Sequence, residues 1–439
     1  MLSIGNLTAS PGQKVSGNVP IQRSPSATGG ATNSSNNATT PPTTAQGESE
    51  NNSISLFIPM TIVRGLNDGP TLVVLSGVHG SEYVPIRATQ KLARELDPSA
   101  IRGTLVLVHI VNLPAYLGRT VYTSPNDGKN LNRVFPGSAD GSPTERIADF
   151  LVNEIYPLAD GLLDMHSGDA NEQLGPSYTA YYGKAGSEDI IQKSKDMAFS
   201  FGLGLVVEFQ WELQGNSSKV STFSGAIWAG SAAVVRGIPS IDVEVAPGMG
   251  AAPSGSINDV YQGVQNVMGH LGMFLEENAT TSNDTVEDDH PCLVTNRRFI
   301  DAPTEGSWVA LVNTGSFVKE GTLLGTITDF SGRNTIFEAK APCDGLLLIR
   351  FETPPVLAGD TVAVIAVLDG DSCDQLRSGG QFRLDPSKVG ALVLWQWSAA
   401  IGWLVALGLS IIFRRSRRNG LYREQPAHQA VPVEDGSMT

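Results

Sequence analysis

His79-Gly-Ser-Glu82 sets an imidazole and a carboxylate three residues apart. Such a pair alone is common on helix surfaces, but this one directly follows the apolar run Thr71-Leu-Val-Val-Leu75. That run reads as a buried strand, and open α/β sheets bind ligands just past the carboxyl ends of their strands. Gly77 and Gly80 let the backbone turn sharply and bring both side chains to one point. His166 stands in the same relation to a second apolar run, Leu162-Leu-Asp-Met165. A lone histidine beside a strand is more often a satisfied core residue. Two histidines with a glutamate are the ligand set of a catalytic zinc, with a fourth position left for water. Asp164 is placed to accept a hydrogen bond in support of His166, or equally to cap a loop.

Two further groups of residues suit the same chemistry. In Asp127-Gly-Lys-Asn-Leu-Asn-Arg-Val-Phe-Pro-Gly137, Asn132 and Arg133 lie in a glycine-bounded loop. There a planar guanidinium fork can grip a carboxylate, although the same composition also describes an ordinary polar loop. Arg119, upstream, is a candidate for polarising an acyl oxygen. In Ile241-Asp-Val-Glu-Val245, Asp242 and Glu244 project to the same face of an expected inner strand. A carboxylate there is costly unless paired or used. Near an activated water it can accept a proton and return it to a leaving nitrogen. Strand alternation does not choose between the two acids.

The elements that position these groups alternate between strand and helix. Pro85 suits the first turn of a helix in which Ala88, Leu92 and Leu96 recur every four residues. Strands are expected over 104–111, 161–165 and 240–245, with helices over 146–155 and 232–235. This pattern implies an α/β sheet covered on both faces. Residues 23–50 lack every large apolar side chain and read as a disordered insertion between the first strands, 1–22, and the rest of a catalytic domain, 51–280. Beyond an acidic stretch the texture changes. Ala302-Pro-Thr-Glu-Gly306 recurs as Ala341-Pro-Cys-Asp-Gly345, and Phe317-Val-Lys-Glu-Gly321 as Pro355-Val-Leu-Ala-Gly359. Two copies of one strand–turn unit predict a small pseudo-symmetric β-barrel over 291–370. It resembles a lipoyl-type barrel without an attachment lysine, so a packing or lid role is expected. A linker, 371–388, leads to Val389–Phe413, 25 residues without a charge. That run predicts a single transmembrane helix, followed by a basic tail over 414–439.

Composition removes several classes. Thirty Lys and Arg against 44 Asp and Glu give a net charge of −14, which excludes a nucleic-acid binder needing a basic footprint. Three cysteines exclude both a disulfide scaffold and a cysteine-based zinc finger. The arginine cluster after the apolar run and seven Asn-x-Ser/Thr sequons before it favour a catalytic domain outside the cytoplasm and a cytoplasmic tail. Residues 1–13 contain no apolar signal core, so the expected outside orientation implies a leader missing from this sequence, and the alternative is a tail-anchored protein with its enzyme domain in the cytosol.

Gly77-Val-His-Gly-Ser-Glu82, the Asp127–Gly137 run, Leu163-Asp-Met-His-Ser-Gly168 and Val243-Glu-Val245, in this order, resemble the succinylglutamate desuccinylase/aspartoacylase family of the zinc carboxypeptidase superfamily. The resemblance covers roughly 2–21 and 56–275, and the barrel is similar to that family's C-terminal domain. It implies a mixed sheet with helices on both faces. It also implies one zinc per chain on His79, Glu82 and His166, with Glu244 rather than Asp242 as general base. Asn132 and Arg133 are implied to bind a substrate carboxylate, with Arg119 as an oxyanion partner. The expected activity is cleavage of the amide bond of an N-acyl amino acid, or a related small acyl compound, by a zinc-activated water. The alternatives are a zinc carboxypeptidase or ester hydrolase, and a non-catalytic membrane-anchored zinc-binding protein. Ser81 and Val245-Ala-Pro-Gly248 depart from the family pattern without touching an implied ligand.

Overall fold

Strands buried on both faces form the centre of the molecule. The computed structural model describes residues 1–21, 56–209, 225–275, 291–368 and 373–377. A small antiparallel hairpin, β1 (Leu2–Ile4) and β2 (Leu7–Ala9), precedes the main sheet. That sheet contains β3 (Lys14–Ile21), β4 (Leu56–Arg64), β5 (Asn67–Ser76), β6 (Arg102–Val108), β7 (Gly161–Ser167), β9 (Tyr178–Tyr182), β10 (Leu205–Phe209), β11 (Ser240–Val245) and β12 (Cys292–Val294). The short β8 (Glu172–Leu174) lies between β7 and β9 in the chain but belongs to another sheet. The order is β12-β10-β9-β11-β7-β5-β6-β4-β3. Its middle is parallel: β5 with β6, β5 with β7, and β7 with β11. Every residue of β7 and β9 is buried, as expected of strands covered on both faces.

The helices are α1 (Tyr83–Glu95), α2 (Leu113–Gly118), α3 (Pro143–Phe150), α4 (Glu188–Ser200), α5 (Ala229–Val234) and α6 (Ser254–His270). Val84, Ala88 and Leu92 of α1 share one apolar cluster with Met197 of α4 and Val260 and Val264 of α6. Ile147 and Ala148 of α3 and Ala229, Ala232 and Ala233 of α5 build the cluster on the opposite face. The expected mixed α/β layering is therefore present, with helices on both faces. From β5 the chain passes first to β6 on one side and later to β7 on the other. The loops after these strands diverge, which opens a crevice at their carboxyl ends.

The second part comprises β13 (Asn296–Asp301), β14 (Gly306–Ala310), β15 (Phe317–Val318), β16 (Leu323–Thr328), β17 (Thr335–Lys340), β18 (Gly345–Phe351), β19 (Pro355–Val356) and β20 (Thr361–Val367), before a single turn, α7 (Asp374–Arg377). The repeat seen in the sequence has a structural counterpart. The β14–β16 pair is joined by β19 from the second copy, and the β18–β20 pair by β15 from the first. Each copy thus lends its short strand to the other. The parts interlock further than a boundary at 291 implies. Cys292–Val294 runs parallel to β10 on the edge of the main sheet, and β8 pairs with β18. A disulfide, Cys292–Cys373, links that edge strand to the residue before α7.

The transmembrane expectation is corrected. Among the described residues no helix is long and apolar enough to cross a membrane, and 389–413 lie outside them. A run of apolar residues records only a preference to leave water; it does not establish a spanning helix. The membrane partner, the extracytoplasmic catalytic domain and the cytoplasmic tail all depended on that span, which no described helix supplies. The expected insertion at 23–50 also lies outside the described residues.

Candidate metal centre and active site

The turn after β5 is shaped by two glycines. Gly77 has φ +70°, a conformation that side chains disfavour, and a Cβ on Gly80 would come within 2.2 Å of the Ala115 backbone in α2. The turn delivers His79 and then Glu82, the N-cap residue of α1. Instead of capping the helix, the Glu82 carboxylate faces two imidazoles. Its Oε1 is 2.7 Å from His79 Nδ1 and its Oε2 is 2.9 Å from His166 Nδ1. His166 is the penultimate residue of β7, which runs two residues further than the apolar pattern suggested. All three residues are buried, and their candidate ligand atoms lie within 4.8 Å of one another.

The outward nitrogens are also engaged. His79 Nε2 is 3.2 Å from Asn130 Oδ1, and His166 Nε2 is 3.2 Å from Asp164 Oδ2. A metal-binding histidine typically donates its other N–H to such an oxygen, which fixes the tautomer and directs the free nitrogen inward. The donor set therefore suits a divalent metal held by His79 Nδ1, His166 Nδ1 and Glu82. Electrostatics favours the same reading. Burial alone would raise the Glu82 carboxyl, but the His79 and His166 charges and hydrogen bonds hold it at about 2. Burial opposes protonation of His166, yet Asp164 and Glu82 push it well above the usual histidine range. The pocket is built around positive charge.

Glu244 of β11 is the register partner of His166, and Asp242 that of Asp164, so all four share one sheet face. Burial, reinforced by Glu82, Asp242 and Asp164, pushes the Glu244 carboxyl up to about 8. Asp242 sits one rung deeper, where its Oδ2 accepts a 2.6 Å hydrogen bond from the Tyr182 hydroxyl. The same-face pair that sequence could not separate is thus distinguished by depth.

In the loop over 127–137, Asn132 Oδ1 accepts from the Ala229 N–H at 2.8 Å, and its Nδ2 lies 3.4 Å from His166 Nε2. Arg133 donates to its neighbour's carbonyl at 2.7 Å. Its guanidinium is exposed, 5.6 Å from the Trp228 ring centroid. Asp127 anchors the loop by accepting from the Thr144 N–H and hydroxyl at 2.8 and 2.6 Å. Arg119 is not brought to the centre. It ends α2 at φ 53° with an exposed side chain, and among the described residues its guanidinium makes no recorded ion pair or hydrogen bond.

Sequence reasoning missed Asn130, whose signal was its place two residues before Asn132 in the same motif. It also missed Tyr122, whose ring meets His79 edge-on at 5.3 Å between centroids. No spacing rule pointed to Asp169 or Glu172 beyond β7.

Comparison with known proteins supplies the remaining evidence. The succinylglutamate desuccinylase/aspartoacylase catalytic domain family matches residues 68–271. The N-alpha-acetyl-L-2,4-diaminobutyric acid deacetylase of Halomonas elongata is 30% identical over 316 residues, covering 71% of this chain and 86% of that protein. A succinylglutamate desuccinylase from Silicibacter sp. TM1040 superposes with a TM-score of 0.61 at 25% identity, covering 72% of this chain and 90% of its own. The product-bound ectoine utilization protein EutE of Ruegeria pomeroyi gives 0.61 at 26%, covering 71% and 90%. This chain belongs to the succinylglutamate desuccinylase/aspartoacylase family and is a hydrolase of amide carbon–nitrogen bonds other than peptide bonds.

Proposed function

We propose that this chain is a zinc-dependent deacylase of a small N-acyl amino acid bearing a carboxylate. The observation that carries the reading is the convergence of His79, Glu82 and His166 within 4.8 Å, with Glu244 alongside. Zinc, when held by those three residues, supplies an electrophile for the acyl carbonyl and makes water acidic enough to ionise near neutral pH. The rest is the work of the chain's own groups. Glu244 takes the proton from the attacking water and returns it to the leaving nitrogen. Burial and neighbouring acids hold the Glu244 carboxyl near 8, and a divalent cation held by His79, Glu82 and His166 would favour its ionised, proton-accepting form. Arg133, steadied over Trp228, and the Nδ2 of Asn132 hold the substrate carboxylate. Arg119, exposed at the end of α2 and not brought to the centre, is left without a part in this scheme. The Halomonas elongata relative, a deacetylase of an N-acetyl amino acid by name, supports the same substrate class.

The test is a hydrolysis screen of N-acyl amino acids with the purified protein, before and after chelation and again after zinc is restored. Activity lost on chelation and regained with zinc is the expected result. Turnover that survives complete metal removal would overturn the zinc reading.

A further inference from the structure

A small hairpin between α2 and α3 carries a residue with no role in the chemistry above. Thr123 and Asn130 form an antiparallel bridge. The turn between them is closed by the Ser124 N–H on the Lys129 carbonyl at 2.9 Å and the Gly128 N–H on the Ser124 carbonyl at 2.8 Å. Asp127, inside the turn, is fastened to Thr144 at the start of α3. The piece is thus fixed without the two side chains at its open end, Tyr122 and Asn130, and both of these meet His79. Asn130 Oδ1 lies 3.2 Å from His79 Nε2 and also accepts the Asn132 N–H at 2.8 Å. The Tyr122 ring meets the imidazole edge-on, with centroids 5.3 Å apart and planes at 81°.

The far end of the same tyrosine reaches the other side of the crevice. Its hydroxyl is hydrogen-bonded to the Asp169 carboxylate, in the loop that leaves β7 three residues after His166. Asp169 is fully buried, and its Oδ1 accepts the N–H groups of Asn171 and Glu172 at 2.6 and 3.2 Å. The Gly168 N–H donates to the Val245 carbonyl at 3.1 Å, which ties the start of this loop to β11. The anchor of the hydroxyl is therefore itself held. His79 needs such support more than His166 does. His166 lies within β7, whereas His79 stands on a turn between Gly77 and Gly80. The bond at Nε2 fixes the tautomer, but the terminal torsion of an imidazole is broad. A contact against the ring plane removes that remaining freedom.

Resting on the zinc reading of this site, we propose that Tyr122 is a positioning residue of the metal centre: its ring fixes the plane of the His79 imidazole, and its hydroxyl moors that ring to the loop behind His166. One side chain thereby spans the crevice from one histidine to the segment that follows the other. The phenol is needed as well as the ring, because the ring alone touches His79 and only the hydroxyl reaches Asp169. The consequence is a tighter hold on the metal, not on the substrate carboxylate, which is met by Asn132 and Arg133.

Zinc Kd is measured by competition with a chelating dye for the parent, Tyr122→Phe and Tyr122→Leu, alongside the visible spectra of the cobalt-substituted proteins. Loss of a group that supports a metal-binding histidine costs about 10- to 100-fold in affinity. Tyr122→Phe keeps the ring and loses the tie, so about tenfold weaker zinc is expected. Tyr122→Leu loses both, so about 100-fold weaker zinc and a shifted cobalt spectrum are expected. Saturating zinc should return kcat of Tyr122→Phe toward the parent value, a rescue that a general loss of folding would not show. Zinc held as tightly as by the parent in either variant would overturn the proposal. So would a kcat that stays low in the zinc-saturated Phe variant, which would assign Tyr122 to the chemistry instead. If Tyr122→Leu does not fold, Tyr122→Phe decides alone, since it removes a single oxygen. A parent that takes up neither zinc nor cobalt sinks the zinc reading and this proposal together, whereas a zinc-binding parent matched by its variants sinks only the proposal.

Discussion

Glu82 and Glu244 stand on either side of His166, and their surroundings drive them in opposite directions. One is held at about 2 by two imidazoles, the other raised to about 8 by burial and neighbouring acids. Carboxyls pushed apart in this way divide roles: the permanently ionised one suits a ligand, and the one near neutrality suits proton transfer. Glu244→Gln keeps the shape and removes the proposed proton acceptor. Zinc content by metal analysis should stay near one per chain while kcat falls by about 10²–10⁴. His166→Ala removes a proposed ligand and the imidazole beside Asp164, so near-complete loss of zinc is expected. Stoichiometric zinc in that variant would show that the ligand set is wrong.

The loop over 127–137 and the end of β6 show what single elements contribute. Asp127 clasps the loop to the first turn of α3, so Asp127→Ala should raise KM for carboxylate-bearing substrates about tenfold with zinc still bound. Unchanged KM would mean that Asn132 and Arg133 hold their places without the clasp. Just past β6, His109 Nε2 is hydrogen-bonded to Thr61 on β4 at 2.8 Å, and Thr61 to Ser16 on β3. Burial lowers the His109 pKa to about 4. Between that value and about 6.5 the unfolded chain takes a proton and the folded chain does not. Stability is thus full above about 6.5 and declines as the pH falls toward 4, by ~3 kcal/mol at most. Urea midpoints at pH 7 and pH 5 should converge in His109→Gln; an unaltered pH slope would remove His109 as its source.

The strands and the metal triad were legible in the sequence because apolar runs and glycine turns are local signals. Strand alternation left Asp242 and Glu244 equal, and what sets them apart in the fold, the Tyr182 hydroxyl on Asp242, comes from another strand. Asn130 was hidden for a similar reason: nothing local shows that its side chain reaches His79. The pairing of β8 with β18 was out of reach too, because a three-residue strand has no period of its own. The apolar run at 389–413 lies outside the described residues, and no described helix supplies the span expected from it.

At the scale of the whole chain, the disulfide encloses everything between the edge strand of the main sheet and α7. Cys292 and Cys373 are 81 residues apart and both buried, so the bond closes a loop containing the entire barrel. By loop length alone such a closure is worth about 4–5 kcal/mol. The double variant Cys292→Ser/Cys373→Ser should melt well below the parent, and the parent should fall to the same temperature in reductant. Identical melting temperatures would show that the bond constrains nothing the barrel does not already fix. The strand exchanged at β8 has a different reach. Glu172 is carried on a strand whose partner belongs to the barrel, whereas His79 and Glu82 follow β5 and Glu244 lies one residue before the end of β11. The barrel thus has a foothold at the rim of the crevice, while β5 and β7, which lead into the His79–Glu82–His166 cluster, answer only to the main sheet.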